Sequence, residues 1–294
     1  MNGVLVVDKP SGVSSASVVA HVKRVLAARR VGHTGTLDPL ATGVLPLCID
    51  DATKIAGYLL AADKAYEGEL MLGVETDTLD AAGEVTREAP VDVPRDALAA
   101  AMRDLVGASE QTPPMHSAIK QDGVPLYRLA YQGVEVERPP RPIRVDAFEL
   151  GDYAPPRAAF SVACSKGTYV RVLVADVGRA LGCGAHLIAL RRTRCGAFTL
   201  DRAVALADVT ADTARAHLID PAAALNHLPG YRVPAAELST VRHGRRVPAS
   251  QLVSADADNH EVFRLLGPQG VLLALARVED GRMRYLRVFS DCLT

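Results

Sequence analysis

Asp38 is an acid whose surroundings leave its backbone little freedom. It stands in the stretch Arg30-Val31-Gly32-His33-Thr34-Gly35-Thr36-Leu37-Asp38-Pro39-Leu40-Ala41-Thr42-Gly43-Val44-Leu45-Pro46. Proline pushes the residue before it toward extended geometry, so the backbone at Asp38 is restricted. Three glycines and two prolines in seventeen residues disfavour both helix and regular strand. Yet Val31, Leu37, Leu40, Val44 and Leu45 are apolar, which marks a loop that folds onto a core rather than a polar linker. A lone carboxylate in such a setting has two readings. It is aimed at a substrate, or it caps a turn, since Asp before Pro is common turn chemistry.

Other chemistries are poorly served. Cys48, Cys164, Cys183, Cys195 and Cys292 lie far apart and make no Cys-x-x-Cys pair. The histidines are equally scattered, so neither a disulfide framework nor a metal site is expected. A net charge of −1 does not advertise a nucleic-acid partner, but the distribution is uneven. Glu75, Asp77, Asp80, Glu84, Glu88 and Asp92 form an acidic stretch. Basic residues gather at Lys23, Arg24, Arg29 and Arg30, at Arg138, Arg141 and Arg144, at Arg191, Arg192 and Arg194, and at Arg242, Arg245 and Arg246. They form either one basic face, with the acids elsewhere, or ordinary solvated charges.

The elements that must position the loop follow from periodicity. Residues 3–7 read as a central strand. Ser14 or Ser15 can cap a helix to about Arg29, with Val18, Val19, Val22, Val25 and Leu26 on one face. Strands are expected at residues 44–49, 64–72, 143–150, 158–165 and 187–199. Helices are expected at 53–60, from Pro94 to before Gly107, at 125–132 and at 168–181. The acidic stretch from 75 to 91 reads as an exposed loop or hairpin. Interleaved helices, strands and hairpins indicate α+β with a mixed, mostly antiparallel sheet. His227-Leu228-Pro229-Gly230 divides a domain of residues 1–227 from a small β-rich one of 228–294, with a hairpin at 271–278 and 283–289. No apolar run is long enough to span a bilayer, and residues 1–8 read as a buried strand rather than a signal peptide. A cytoplasmic protein is expected.

The run from residue 32 to 43, Gly-His-Thr-Gly-Thr-Leu-Asp-Pro-Leu-Ala-Thr-Gly, resembles the signature of the tRNA pseudouridine-55 synthases, the TruB family. Four further pieces match in the right order. They are Lys9-Pro10-Ser11-Gly12, Lys64-Ala65-Tyr66-Glu67-Gly68, Pro114-Met115-His116-Ser117-Ala118-Ile119-Lys120, and Lys166-Gly167-Thr168-Tyr169-Val170-Arg171 with the later Leu190-Arg191-Arg192. The hairpin near the end of the chain resembles the closing strands of a PUA domain.

The resemblance implies a pseudouridine-synthase fold and a catalytic Asp38. It implies that Arg171 pairs with Asp38, that Tyr66 stacks on the uracil and handles a proton, and that Tyr169 and Leu190 wall the pocket. His33 would fill the space that the flipped base leaves in the RNA loop; alternatively it bonds to the backbone of its own loop. Lys9 would support the pocket or contact phosphate. The implied substrate is uridine 55 in the TΨC stem-loop of tRNA, with the C-terminal domain holding a helical stem. Isomerisation imports no group and moves no net electrons, so no cofactor is expected. The scattered histidines and cysteines offer no metal site, and with no long basic tail for assembly with guide-RNA partners no obligate protein partner is expected. His116 and Tyr131 depart from the tyrosine and arginine common in the family. Three other readings stand beside this one: an RNA-binding or tRNA-folding protein without turnover, a synthase for another RNA, and a nucleotidyltransferase suggested by the Gly-His-Thr-Gly run.

Overall fold

The apolar run at the N-terminus forms strand β1 (Gly3–Lys9), and Val4, Leu5, Val6 and Val7 are fully buried on both of its faces. This is seen in a computed structural model, which describes residues 1–245, 248–253 and 260–289. Ser14 then accepts a hydrogen bond from Ser17 N–H and starts helix α1 (Ser15–Val25). After it come β2 (Val31–His33), β3 (Thr42–Ile49) and the short helix α2 (Ala56–Leu60). Strand β4 (Lys64–Leu72) precedes the small hairpin β5 (Val74–Thr76) and β6 (Val85–Glu88). Helix α3 (Arg95–Arg103), β7 (Gly107–Gln111), β8 (Lys120–Gln121), β9 (Val124–Pro125) and α4 (Leu126–Ala130) follow. The long hairpin β10 (Arg141–Ala154) and β11 (Arg157–Cys164) leads to α5 (Val170–Ala180), β12 (Ala185–Cys195), β13 (Phe198–Thr199) and β14 (Val204–Ala205).

Eight of these strands lie in the order β14-β1-β3-β12-β4-β11-β10-β7, with β2 and β13 paired at the side. Only β1–β14 and β12–β3 are parallel, so the sheet is mixed and mostly antiparallel. Helices α1, α3 and α5 cover one face, where Val18, Val22, Leu98, Met102, Val174 and Val177 are buried against the strands. The parallel contact β12–β3 sets Arg192 beside Gly43. Gly43 has φ +98°, and a Cβ there would lie 2.3 Å from the Arg192 carbonyl oxygen. Glycine is what lets the strand that carries Arg192 close onto the Asp38 loop.

Beyond residue 229, β15 (Gly230–Arg232), β16 (Phe263–Leu266), β17 (Leu272–Glu279) and β18 (Arg282–Val288) form a second, four-stranded sheet. Leu272, Leu275 and Phe289 pack with Val4, Val6, Val44 and Cys48, on the face of β1 and β3 opposite the helices. Val241, Phe263, Leu265, Leu273 and Met283 form a core of the second unit's own.

Three expectations change. Residues 31–33 form a strand, because β3 supplies backbone partners that outweigh the glycine penalty. Residues 107–111 form an edge strand on β10 with little apolar alternation. The acidic stretch is not wholly exposed. Its tip folds back on β12, where Ala81 N–H donates to Leu187 O and Leu187 N–H to Leu79 O, and Asp80 is buried. Members of the basic clusters differ in their surroundings. Arg192 is only 1% exposed, Arg191 is paired to Asp8, and Arg144 to Asp63 and Asp146. Arg246 and Cys292 lie outside the described residues.

Candidate active site

Asp38 is fixed from both sides. Ser15, in the first turn of α1, donates its hydroxyl to Leu37 O and accepts from Leu37 N–H, both at 2.9 Å. On the other side Pro39 O accepts from Gly12 N–H at 2.8 Å and from Lys9 Nζ at 3.2 Å. Lys9 also donates to Pro10 O and Val13 O and is fully buried. It therefore neither sits in solvent nor reaches a phosphate; it pins the segment that carries Asp38. Its burial holds the ammonium down to about 8, against the pull of Asp38 upward.

Arg192 braces the loop from beneath. Its guanidinium donates to Val44 O at 2.7 Å and to Gly35 O at 3.1 Å, with a longer contact to Thr36 O. An arginine with no water around it is tolerable only when such carbonyls satisfy its donors.

The carboxylate itself meets Arg171, whose Nε lies 3.0 Å from Asp38 Oδ2. Arg171 projects from the first turn of α5 and is almost wholly buried. It also donates to Thr78 O and His116 O and lies 3.6 Å from Asp80 Oδ2. Asp80 in turn accepts from Thr78 Oγ1 and Ala82 N–H. One guanidinium thus serves two carboxylates. Protein on all sides but one pushes the Asp38 carboxyl above its ordinary range. Arg171 pulls it back, Asp80 pushes it further up, and Lys9 pulls weakly down. The open side remains: 39% of the Asp38 side chain is accessible.

That open side faces a cavity of about 320 Å³ lined by Asp38, Tyr66, Tyr169, Arg171 and Leu190, and also by Lys64 and Lys166. The size fits a buried small group such as a nucleobase and its sugar. Tyr66 comes from β4, where Lys64 and Tyr66 share a face. Burial pushes its phenol up to about 12, so at neutral pH it stays protonated and holds that proton more tightly than a free tyrosine. Tyr169 precedes α5 and is clamped by Gln111, which accepts from its N–H and donates to its carbonyl. A larger groove of about 670 Å³ includes Leu190 but not Asp38, and Glu67, Glu69 and Glu149 line it, which does not suit an anionic ligand.

Five of the seven residues singled out in the sequence therefore meet in one cavity. Lys9 supports it from behind. His33 does not line it; its Nδ1 accepts from Gly35 N–H at 3.3 Å, and burial holds the imidazole below its usual range, so it is neutral at pH 7. Asp80, Arg192, Ser15 and Gln111 went unrecognised. Asp80 carried a signal, as the single acid of its run followed by two alanines, but nothing local tells it from its exposed neighbours. Among the described residues no cluster of histidine, cysteine and carboxylate could hold a metal.

The arrangement yields a pH prediction. Replacing Asp80 with Asn removes a negative charge that raises the Asp38 carboxyl. The acidic limb of the single-turnover pH profile then moves to lower pH. An unmoved or raised limb contradicts the coupling.

Known proteins resemble this chain in sequence and in fold. Residues 23–170 match the model of the TruB family pseudouridylate synthase N-terminal domain, and residues 171–228 that of the tRNA pseudouridylate synthase B C-terminal domain. The chain is 46% identical to tRNA pseudouridine synthase B of Cupriavidus metallidurans, over 97% of this chain and 93% of that one. It is 45% identical to the protein of that name from Thiobacillus denitrificans, over 96% and 94%. A chain from the crystal structure of a Cbf5-Nop10-Gar1 complex superposes with TM-score 0.76 at 27% identity, covering 99% of this chain and 86% of the other. A chain from the structure of an H/ACA RNP bound to a substrate RNA containing 2'-deoxyuridine gives 0.74 at 25% identity, covering 98% and 86%. With one family model spanning half its length and relatives matched nearly end to end, this chain belongs to the TruB family of pseudouridylate synthases.

Proposed function

We propose that this chain converts uridine 55 in the TΨC loop of tRNA to pseudouridine, with Asp38 as the group that acts on the nucleoside. The observation that carries this reading is a partly open carboxylate, paired to a buried guanidinium, at the floor of a nucleoside-sized cavity. The reaction breaks the N1–C1′ bond and forms C5–C1′; C5 gives up its proton and N1 gains one. No electrons are exchanged with another molecule, so side chains suffice. Asp38 must be ionised to act as nucleophile or base, and Arg171 favours that form. Tyr66 and Leu190 supply faces for the uracil, and protonated Tyr66 has a proton to give.

A uridine within a folded loop must be extruded to enter such a cavity, at a cost of a few kcal/mol. Stacking on an aromatic face offsets about 1–3 kcal/mol per base. In this reading His33 enters the vacated place in the RNA loop. Residues 1–227 carry the chemistry, and residues 228–294 form a PUA-like unit that holds the stem. This reading has the protein act in the cytoplasm without an obligate protein partner.

Incubating the purified protein with an unmodified tRNA transcript and mapping pseudouridine chemically tests the proposal. One new pseudouridine at position 55 is expected. None, or one elsewhere, contradicts it.

A further inference from the structure

Four of the eight large apolar side chains exposed among the described residues fall within residues 124–134: Val124, Tyr127, Tyr131 and Val134. Tyr131 is the most open of them, at 79% exposed. Its ring meets the ring of His116 edge-on at 5.6 Å between centroids, and that of Tyr127 edge-on at 6.3 Å. Edge-to-face contacts of this kind hold a ring's orientation while leaving a face free.

The rings are tied to the cavity. Tyr127 N–H donates to Ser117 O and Leu126 N–H to Ile119 O, and Ser117 and Ile119 line the Asp38 pocket. The carbonyl of His116 accepts from the same guanidinium that touches Asp38. The aromatic group therefore stands on the same backbone segment as the pocket wall. Lys120 and Arg128 are exposed beside it, and the nearby Glu135 is neutralised by Arg138.

We propose that Tyr131, backed by His116 and Tyr127, is a stacking platform for one unpaired base of the substrate RNA, outside the pocket and next to the extruded uridine. This rests on the function proposed above. Extruding one nucleotide strips its neighbour of a stacking partner and leaves an apolar face in water. An exposed, oriented tyrosine restores that contact without reading the base's identity. A ring held beforehand by two others loses little freedom on docking.

The test pairs protein and RNA variants. The unmodified TΨC stem-loop and a series of abasic versions, one per unpaired loop position other than 55, are titrated against wild type, Tyr131→Phe and Tyr131→Leu. Binding is read from labelled RNA, and KM and kcat from pseudouridine formation. Tyr131→Leu is expected to weaken binding and raise KM about tenfold, with kcat unchanged. Tyr131→Phe keeps the face and binds as wild type. One abasic stem-loop weakens binding to wild type and erases the Tyr131→Leu penalty. Equal binding by wild type and Tyr131→Leu overturns the platform. So does a penalty unchanged on every abasic RNA, or a Tyr131→Phe variant as weak as Tyr131→Leu, which would assign the contact to the hydroxyl. Absence of pseudouridine formation by wild type defeats the proposed activity instead, and the binding titrations still decide the platform.

Discussion

Arg171→Met loses about 10²- to 10³-fold in kcat and about 3–5 kcal/mol of stability, the range for removing one partner of a buried ion pair. Both losses have the same origin. The guanidinium is the cation facing Asp80 and the donor to Thr78 O and His116 O, so methionine leaves a buried carboxylate and two carbonyls without it. It also removes the charge that opposes the upward shift of Asp38, so less carboxylate is ionised at neutral pH. Arg171→Lys retains a charge but not the fork that reaches four acceptors, and falls between the two. Urea melts read the stability, and single-turnover rates across pH read the ionisation. A methionine variant that melts like wild type contradicts the assigned role.

Asp38→Asn behaves in the opposite way toward folding. Its side chain keeps the shape, and Arg171 keeps Asp80. The Asp38 carboxyl lies above its unfolded value, so its contribution to folding is fully present at low pH and lost as pH rises through the folded value. At pH 7 the charged form therefore costs stability. The asparagine variant melts no lower than wild type at pH 7, and any advantage shrinks toward pH 4. It binds the TΨC stem-loop as wild type does, because the cavity's aromatic and apolar walls are untouched. Turnover falls about 10⁴-fold or more, as expected when a catalytic carboxylate becomes an amide. A marked drop in melting temperature would mean that Asp38 is structural.

The parts of this site that were legible in the sequence are contiguous ones. Gly32 to Gly43 announces a stiff loop, and Lys64 to Gly68 announces a strand with alternating faces. What was illegible depends on contacts between distant residues. Arg192 looked like one member of a basic cluster, yet its hydrogen bonds reach residues 148 to 157 positions away. Asp80 looked like one acid among six; only the fold of its hairpin tip onto β12 buries it. For Lys9 the sequence left open support of the pocket or a phosphate contact, because it does not reveal that three carbonyls converge on the ammonium. Strand β7 was missed since an edge strand needs no apolar alternation, and with it Gln111, the clamp on Tyr169. Even the departures at His116 and Tyr131 acquire a relation in space, as rings in contact.

Release of tritium from tRNA labelled at uracil C5, compared for wild type and Asp38→Asn at equal occupancy, tests the central claim most directly. Stoichiometric release by wild type and none above background from the variant is the expected result. Release by Asp38→Asn at the wild-type rate would show that the carboxylate beside Arg171 is not the group that acts on the nucleoside.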